Sequence, residues 1–398
     1  MVIHGGRVVD PVQGIDALRD VRTSDVVVEI GEHLQAGDGE AVLDATGTIV
    51  APGFIDMHVH LREPGNPEKE TLESGTEAAV RGGFTAVACM PNTVPALDDA
   101  SVLTNLLADV AGRARCRVYA IAALTRGRGG EEPSDYAALA RAGAVAFSDD
   151  GDSVADARVL YGAAVRGADV GAVFISHCED AARKTFDAQL AESAIVARDL
   201  LIASATGKAW HVAHLSLNAS VELLRLARSA GANATAEVTP HHLSCTQEAA
   251  RELGPVGAVN PPLRSERDAR ALRDAVRDGT IDVFASDHAP HTREQKRAGA
   301  PGFSGLEIAI GAYAAAIPDL SVQRFVSLLS SHPAHVLGVP GGTLRPGSPA
   351  DLTLFADREW RVDSTRFASL GRATPFDGAV LPRKAVATIV GGEVRYRA

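Results

Sequence analysis

Two histidines, His58 and His60, sit two residues apart in the apolar run "GFIDMHVHLREPG", with Arg62 two positions further on. Imidazole is the commonest metal ligand, and a guanidinium is a planar fork for a carboxylate or phosphate. Side chains alternate along a strand, so this spacing predicts all three on one face. A lone H-x-H is a common accident, and a solvated strand edge would explain this stretch by itself. The rest of the chain shifts the balance. Asn92, Asp149 and Asp150, His177, His214, His241 and His242, and the group Asp287, His288 and His291 all fall at or just after the ends of other apolar runs. Surface solvation does not need His or Asp at five separate run ends. A metal centre with an anion clamp beside it does.

Catalytic zinc sites combine neutral imidazole with carboxylate and keep one position open for water. His58 and His60 can reach one ion from a single strand. Asp149 and Asp150 are neighbours, so alternation lets only one point inward. His211 and His214 are three apart and face opposite ways. His214 lies nearer the strand end, which leaves His211 to packing or support. Asp287 ends its run, and His288 should face away from it. His241 and His242, in "TPHHL", are read as structural or supporting. His4 and His33 are read as surface residues, His332 and His335 as part of an outer helix, and Cys178 as a small buried side chain.

The elements that must position these residues repeat. Eight apolar runs follow one another: "GFIDMHVHL", "TAVACMPN", "RVYAIAALT", "AVAFSDDG", "GAVFISHCED", "AWHVAHLS", "NATAEVTPHHL" and "IDVFASDHAPH". Helical segments lie between most of them. "DDASVLTNLLADVAG" carries Asp98 or Asp99 as N-cap and Leu103, Leu106, Leu107 and Val110 on one face. "SVELLRLARSAG" and "SERDARALRDAVRDG" stop at Gly231 and Gly279. Strands alternating with helices predict a parallel sheet, and eight repeats predict a (β/α)8 TIM barrel whose active site lies at the C-terminal ends of the strands. Residues 51–344 form the barrel in this reading. Residues 1–50 and 345–398, rich in short β-like pieces, form one small β-sandwich domain built from both termini.

Bulk properties set limits. A chain of 398 residues holds a barrel and one small companion. The formal net charge of −11 argues against an electrostatic nucleic-acid binder. The four cysteines form no C-x-x-C pair, which argues against a structural zinc site and fits free thiols in a reducing compartment. No apolar run approaches the ~18 residues of a membrane span, and "MVIHGGRVVD" lacks a signal-peptide pattern. These features predict a cytoplasmic protein without membrane or nucleic-acid partners.

"DMHVHLREPG", "KETLESGTEAAVRGGFTAVACMPNT", "HCED", "EVTPHHL", "VNPPLR", "SDHAPH", "GSPADLTLF" and "TPFDG" occur in this order along nearly the whole chain. Together they closely resemble the dihydroorotases of the amidohydrolase superfamily, specifically the longer bacterial type (class I). The resemblance implies that His58 and His60 bind one zinc ion and that His177 and His214 bind a second, so that two ions rather than one are expected. It implies that Asp150 takes the strand-4 position where related enzymes carry a carboxylated lysine. It makes Asp287 both a metal ligand and the catalytic acid/base. It assigns His60, Arg62, Asn92, Asn260 and His291 to the substrate, together with Pro301 and Gly302 of "GAPGFSGLE". The implied reaction is the reversible cyclisation of N-carbamoyl-L-aspartate to dihydroorotate, the third step of pyrimidine (UMP) synthesis, through a metal-bound hydroxide. A homodimer and association with aspartate transcarbamoylase are further implications of the family. One departure stands out: "HCEDAARKTFDAQLAESAIVARDLL" is shorter than the family's usual stretch after the strand-5 histidine.

Two alternatives remain open on the sequence. One is another cyclic-amide hydrolase, such as a hydantoinase, dihydropyrimidinase or allantoinase; the absent strand-4 lysine and the presence of Arg62 argue against it. The other is a non-catalytic barrel that scaffolds a transcarbamoylase. Such a copy would be expected to lose ligands, and none is lost here.

Overall fold

In the computed structural model, which describes residues 1–182 and 187–398, eight parallel strands form the central ring. They are β1 (Phe54–Val59), β2 (Phe84–Cys89), β3 (Arg117–Ala123), β4 (Ala144–Ser148), β5 (Val173–Ser176), β6 (Trp210–Val212), β7 (Ala234–Val238) and β8 (Val283–Phe284). Each pairs with the next in parallel register. A bridge between Val59 and His288 closes the ring, and the His60 amide donates to the His288 carbonyl at 2.8 Å. β1 and β2 are buried at every position, as expected of parallel strands covered on both faces. An apolar cluster drawing Ile55, Ala88, Ile121, Ile175 and Val283 from strands around the ring fills its middle.

Helices follow the predicted signals. Residues 100–113 are helical with Asp99 as N-cap, and Leu103 and Leu106 are buried. Gly231 and Gly279, just past helices 218–229 and 266–277, take the positive φ that a side chain would resist.

The terminal strands form one eight-stranded sheet. Strand 2–10 lies at its centre, and strands 352–356, 384–390 and 393–397 from the C-terminus extend it beyond strand 49–52. Val27 from near one end and Ile389 from near the other join a single apolar cluster, so the sheet carries its own core. Part of the C-terminal segment returns to the barrel. The Ala368 and Ser369 amides donate to Glu307, and the Ser369 hydroxyl and Leu370 amide donate to Glu70. Four residues of the short segment after His177, 183–186, lie outside the described residues.

Candidate metal centre and active site

The strand ends bring six of the expected side chains together. Asp150 follows β4 and lies at the middle of the group. Its Oδ1 is 3.3 Å from His58 Nε2, 3.5 Å from His177 Nδ1 and 3.5 Å from His214 Nε2, and its Oδ2 is 3.4 Å from His60 Nε2. Asp287, after β8, places Oδ1 3.2 Å from His60 Nε2 and 3.5 Å from His58 Nε2. His177 Nδ1 and His214 Nε2 are 3.0 Å apart. Two ligand triads result, His58–His60–Asp150 and Asp150–His177–His214, with Asp150 common to both.

These residues fit a metal ion. Ligand atoms ~2.0–2.1 Å from a tetrahedral zinc stand about 3.3 Å from one another, close to the separations seen here. His58 Nε2, Asp150 Oδ1 and His214 Nδ1 are buried without a hydrogen-bond partner among the described residues. Such orphaned atoms are costly unless something else satisfies them. The electrostatics keep the carboxylates ionised. Burial opposes ionisation of Asp150, but His58, His177 and His214 outweigh it and hold the carboxyl well below its usual range. Asp287 is likewise held low, against burial, by His58 and His60.

Supporting contacts orient the ligands. His58 Nδ1 donates to Glu237 Oε1 at 2.6 Å, which directs Nε2 to the centre. Burial raises the Glu237 pKa, yet His58 and His211 bring it down to about 2. His211 joins Glu237 Oε2 at 3.2 Å and Thr235 at 2.7 Å, the supporting role expected of it. His60 Nδ1 meets Asn92 Oδ1 at 2.8 Å, so Asn92 orients the His60 ring. Asp149 turns away and accepts from the Leu124 and Thr125 amides, as alternation requires when Asp150 points inward. His288 faces outward onto Glu70 at 3.1 Å. His242 is held by Thr239 and the Pro261 carbonyl, while burial lowers the His241 pKa to about 4 and keeps that ring neutral.

Arg62 reaches the site differently from the expectation. β1 ends at Val59, and Arg62 has φ +64°, so a left-handed turn rather than strand alternation aims its side chain. His214 (φ +32°) and Asp287 (φ +47°) share this disfavoured backbone region. Non-glycine residues rarely stay there unless the surroundings hold them. Arg62 Nε donates to the Pro290 carbonyl at 3.1 Å, and Nη2 lies 3.3 Å from His291 Nε2. The Nη1 side has no hydrogen-bond partner among the described residues. Burial lowers the guanidinium pKa to about 10, which leaves it charged at neutral pH. His291 Nε2 also lies 2.9 Å from the Pro301 carbonyl. Gly302 packs so tightly on the 288–291 loop that a Cβ would sit 2.6 Å from Ala289. Its amide donates at 3.0 Å to the Ala258 carbonyl, two residues before Asn260. Arg62, His291, Pro301 and Gly302 thus adjoin one another, and the Asn260 loop is tied to them through Ala258.

Glu237 and Asp56 are the functional neighbours that sequence reasoning missed. Asp56 accepts from the Ser286 and His58 amides at 3.1 Å, which joins the base of β1 to the turn carrying Asp287, and burial raises its pKa to about 7. A lone carboxylate inside an apolar β run, as in "GFIDM" and "ATAEV", was the available signal.

Known proteins resemble this chain along its whole length. Residues 47–189 match the family model described as dihydro-orotase-like. A relative from Pelotomaculum thermopropionicum named dihydroorotase is 45% identical, covering 99% of this chain and 98% of its own. Another of that name, from Anaeromyxobacter dehalogenans, is 41% identical over 99% and 97% of the two chains. Among solved structures, an L-hydantoinase (dihydropyrimidinase) from Arthrobacter aurescens superposes with a TM-score of 0.89 at 25% identity, covering 99% of this chain and 95% of that one. A D-hydantoinase from Thermus sp. gives 0.88 at 23% identity, over 100% and 95%, and bears on the fold alone.

Proposed function

The chain belongs to the dihydroorotase family, and from that premise we propose that it interconverts N-carbamoyl-L-aspartate and dihydroorotate at the Asp150 centre. The observation that carries this reading is Asp150 itself. An aspartate after β4 stands between two histidine pairs, with Arg62 and His291 beside them. His58, His60, Asp150, His177, His214 and Asp287 would hold zinc. Two ions are favoured because Asp150 belongs to both triads. When bound, zinc would polarise the scissile carbonyl and lower the pKa of a water to roughly 7.

The protein's own groups then have the following tasks. In hydrolysis, oxygen from water bonds to the ring carbonyl carbon and that carbon's bond to the ring nitrogen breaks. Asp287, whose Oδ1 lies 3.2 Å from His60 Nε2, accepts the proton of the attacking water and delivers it to the departing nitrogen. Cyclisation runs the same transfers backwards. The unpartnered side of Arg62 would receive the substrate's spectator carboxylate, a charge-assisted contact that a plain cyclic amide lacks. Asn260 and the Pro301–Gly302 backbone would border the ring.

The structural likeness to hydantoinases favours a second reading, hydrolysis of hydantoins or dihydropyrimidines. Spectrophotometric assays with dihydroorotate, dihydrouracil, hydantoin and allantoin separate the two. Turnover confined to dihydroorotate, with one to two equivalents of zinc in the protein, is expected. Turnover of dihydrouracil or hydantoin without dihydroorotate would replace the first reading by the second.

A further inference from the structure

Lys296 lies in the short helix 293–297, within the charge-rich stretch "REQKR", yet only 3% of it is exposed. It forms no ion pair among the described residues. Its Nζ donates to the Ala258 carbonyl at 2.9 Å and to the Ala300 carbonyl at 2.8 Å, and sits 4.9 Å above the centre of the Phe303 ring. A buried ammonium without a carboxylate is expensive, and an apolar side chain of similar length would fill the space at lower cost. Global stability therefore does not account for it.

Its contacts do. Ala258 begins the stretch that carries Asn260, and its carbonyl also accepts from the Gly302 amide. Ala300 precedes Pro301, whose carbonyl meets His291. Phe303 pairs with the far side of the same mouth, accepting from the Ala289 amide at 2.8 Å. One ammonium thus ties the Asn260 stretch to the 299–303 loop, which the Ala289 amide joins to the His291 segment, and these three border the place where the substrate would sit. We propose that Lys296 is a positioning residue: it holds the Asn260 loop and the 299–303 loop against the His291 segment, so that the substrate meets a mouth already formed. This rests on the dihydroorotase reading for the identity of the substrate, and on contacts alone for the strut. Preforming a site lowers the ordering cost of binding, so the effect should fall on KM rather than on kcat.

The test compares Lys296→Met and Lys296→Arg with the wild type in the zinc-loaded protein, using dihydroorotate turnover and amide hydrogen exchange. Lys296→Met is expected to raise KM roughly tenfold, the loss typical of one charged hydrogen bond, while kcat changes by less than about threefold. Zinc content should be unchanged. The Gly302 and Ala289 amides should exchange faster while the barrel strands keep their protection. Lys296→Arg, which keeps donors and charge, should restore most of both properties. A Met variant with wild-type KM and wild-type exchange overturns the proposal, as does one in which KM, kcat and every amide shift together. Should the Met variant fail to fold, the wild type alone decides: Gly302 and Ala289 amides must already be protected without dihydroorotate, and exchange at unstructured-chain rates would overturn the strut. Absence of dihydroorotate turnover in the wild type defeats the functional reading, while the exchange result still judges Lys296.

Discussion

Glu237 and His58 meet at 2.6 Å across the ring, from β7 to β1, with neither side chain exposed to solvent. The contact fixes which histidine nitrogen would face a metal in the proposed centre, because an Nδ1–H engaged by a carboxylate leaves Nε2 with its lone pair free.

That pairing makes Glu237→Gln informative. The amide keeps the size and can still accept from His58 Nδ1 through its oxygen, but it removes the charge that raises the ligand's basicity. Metal affinity should fall by about 10–100-fold, the usual effect of losing such a partner. Competition against a chromophoric chelator measures this. An unchanged dissociation constant would reduce Glu237 to a packing residue.

Arg62→Lys keeps the positive charge but loses both the Nε contact to Pro290 and the planar fork. Transition-state stabilisation for dihydroorotate should drop by about 1–3 kcal/mol, read as kcat/KM, with zinc content unaltered. If kcat/KM stays at the wild-type value, the spectator carboxylate is bound elsewhere.

Glu307 gives a stability prediction with a definite sign. Burial raises its pKa to about 7, against the pull of the Ala368 and Ser369 amides. The folded state therefore holds a proton that the unfolded state, with a pKa near 4.5, has already released. Stability from this group is lost as pH rises from about 4.5 to about 7 and is level above that, by an amount on the order of 3 kcal/mol. Glu307→Gln still accepts from these amides and lacks the carboxyl, so its denaturation midpoint should exceed that of the wild type at pH 8 by more than at pH 5. Parallel curves for the two proteins across this range would show that the carboxyl titrates normally.

The legible part of this molecule is what local periodicity encodes. Eight apolar runs with polar residues at their ends are enough for the ring and for the positions of His58, His60, His177, His214 and Asp287, because a parallel barrel places every strand end on one face. Alternation requires only that one of Asp149 and Asp150 point inward; the choice of Asp150 comes from the family resemblance. Strand alternation does not extend to Arg62, since the strand stops at Val59 and a left-handed residue does the aiming. Glu237 shows in the sequence only as a lone carboxylate in an apolar run; its partner His58 is 179 residues away, so no spacing marks the pairing. Lys296 was hidden for the opposite reason, since a lysine among Arg293, Glu294 and Arg297 reads as solvated.

Asp287 carries the sharpest prediction, because the proposed function gives it two separable tasks. If it served only as a ligand, the loss in Asp287→Asn should be largely repaired by added zinc, since the amide oxygen can still coordinate. If it also moves the proton, the loss should persist with the site full, for an amide cannot accept a proton at neutral pH. General acid–base catalysis contributes ~10²–10⁴-fold, so at least that factor should remain missing at full zinc occupancy. The wild-type pH profiles should oppose one another by direction. Hydrolysis needs the deprotonated form of the unit that contains Asp287, so its rate falls at low pH. Cyclisation needs the protonated form, so its rate falls at high pH. The midpoints belong to the coupled unit of carboxylate and metal centre rather than to Asp287 alone. Both profiles, with zinc content measured on the same samples, check this. An Asn variant with full zinc and near-normal rates in both directions would remove Asp287 from the proton path and leave it a ligand only.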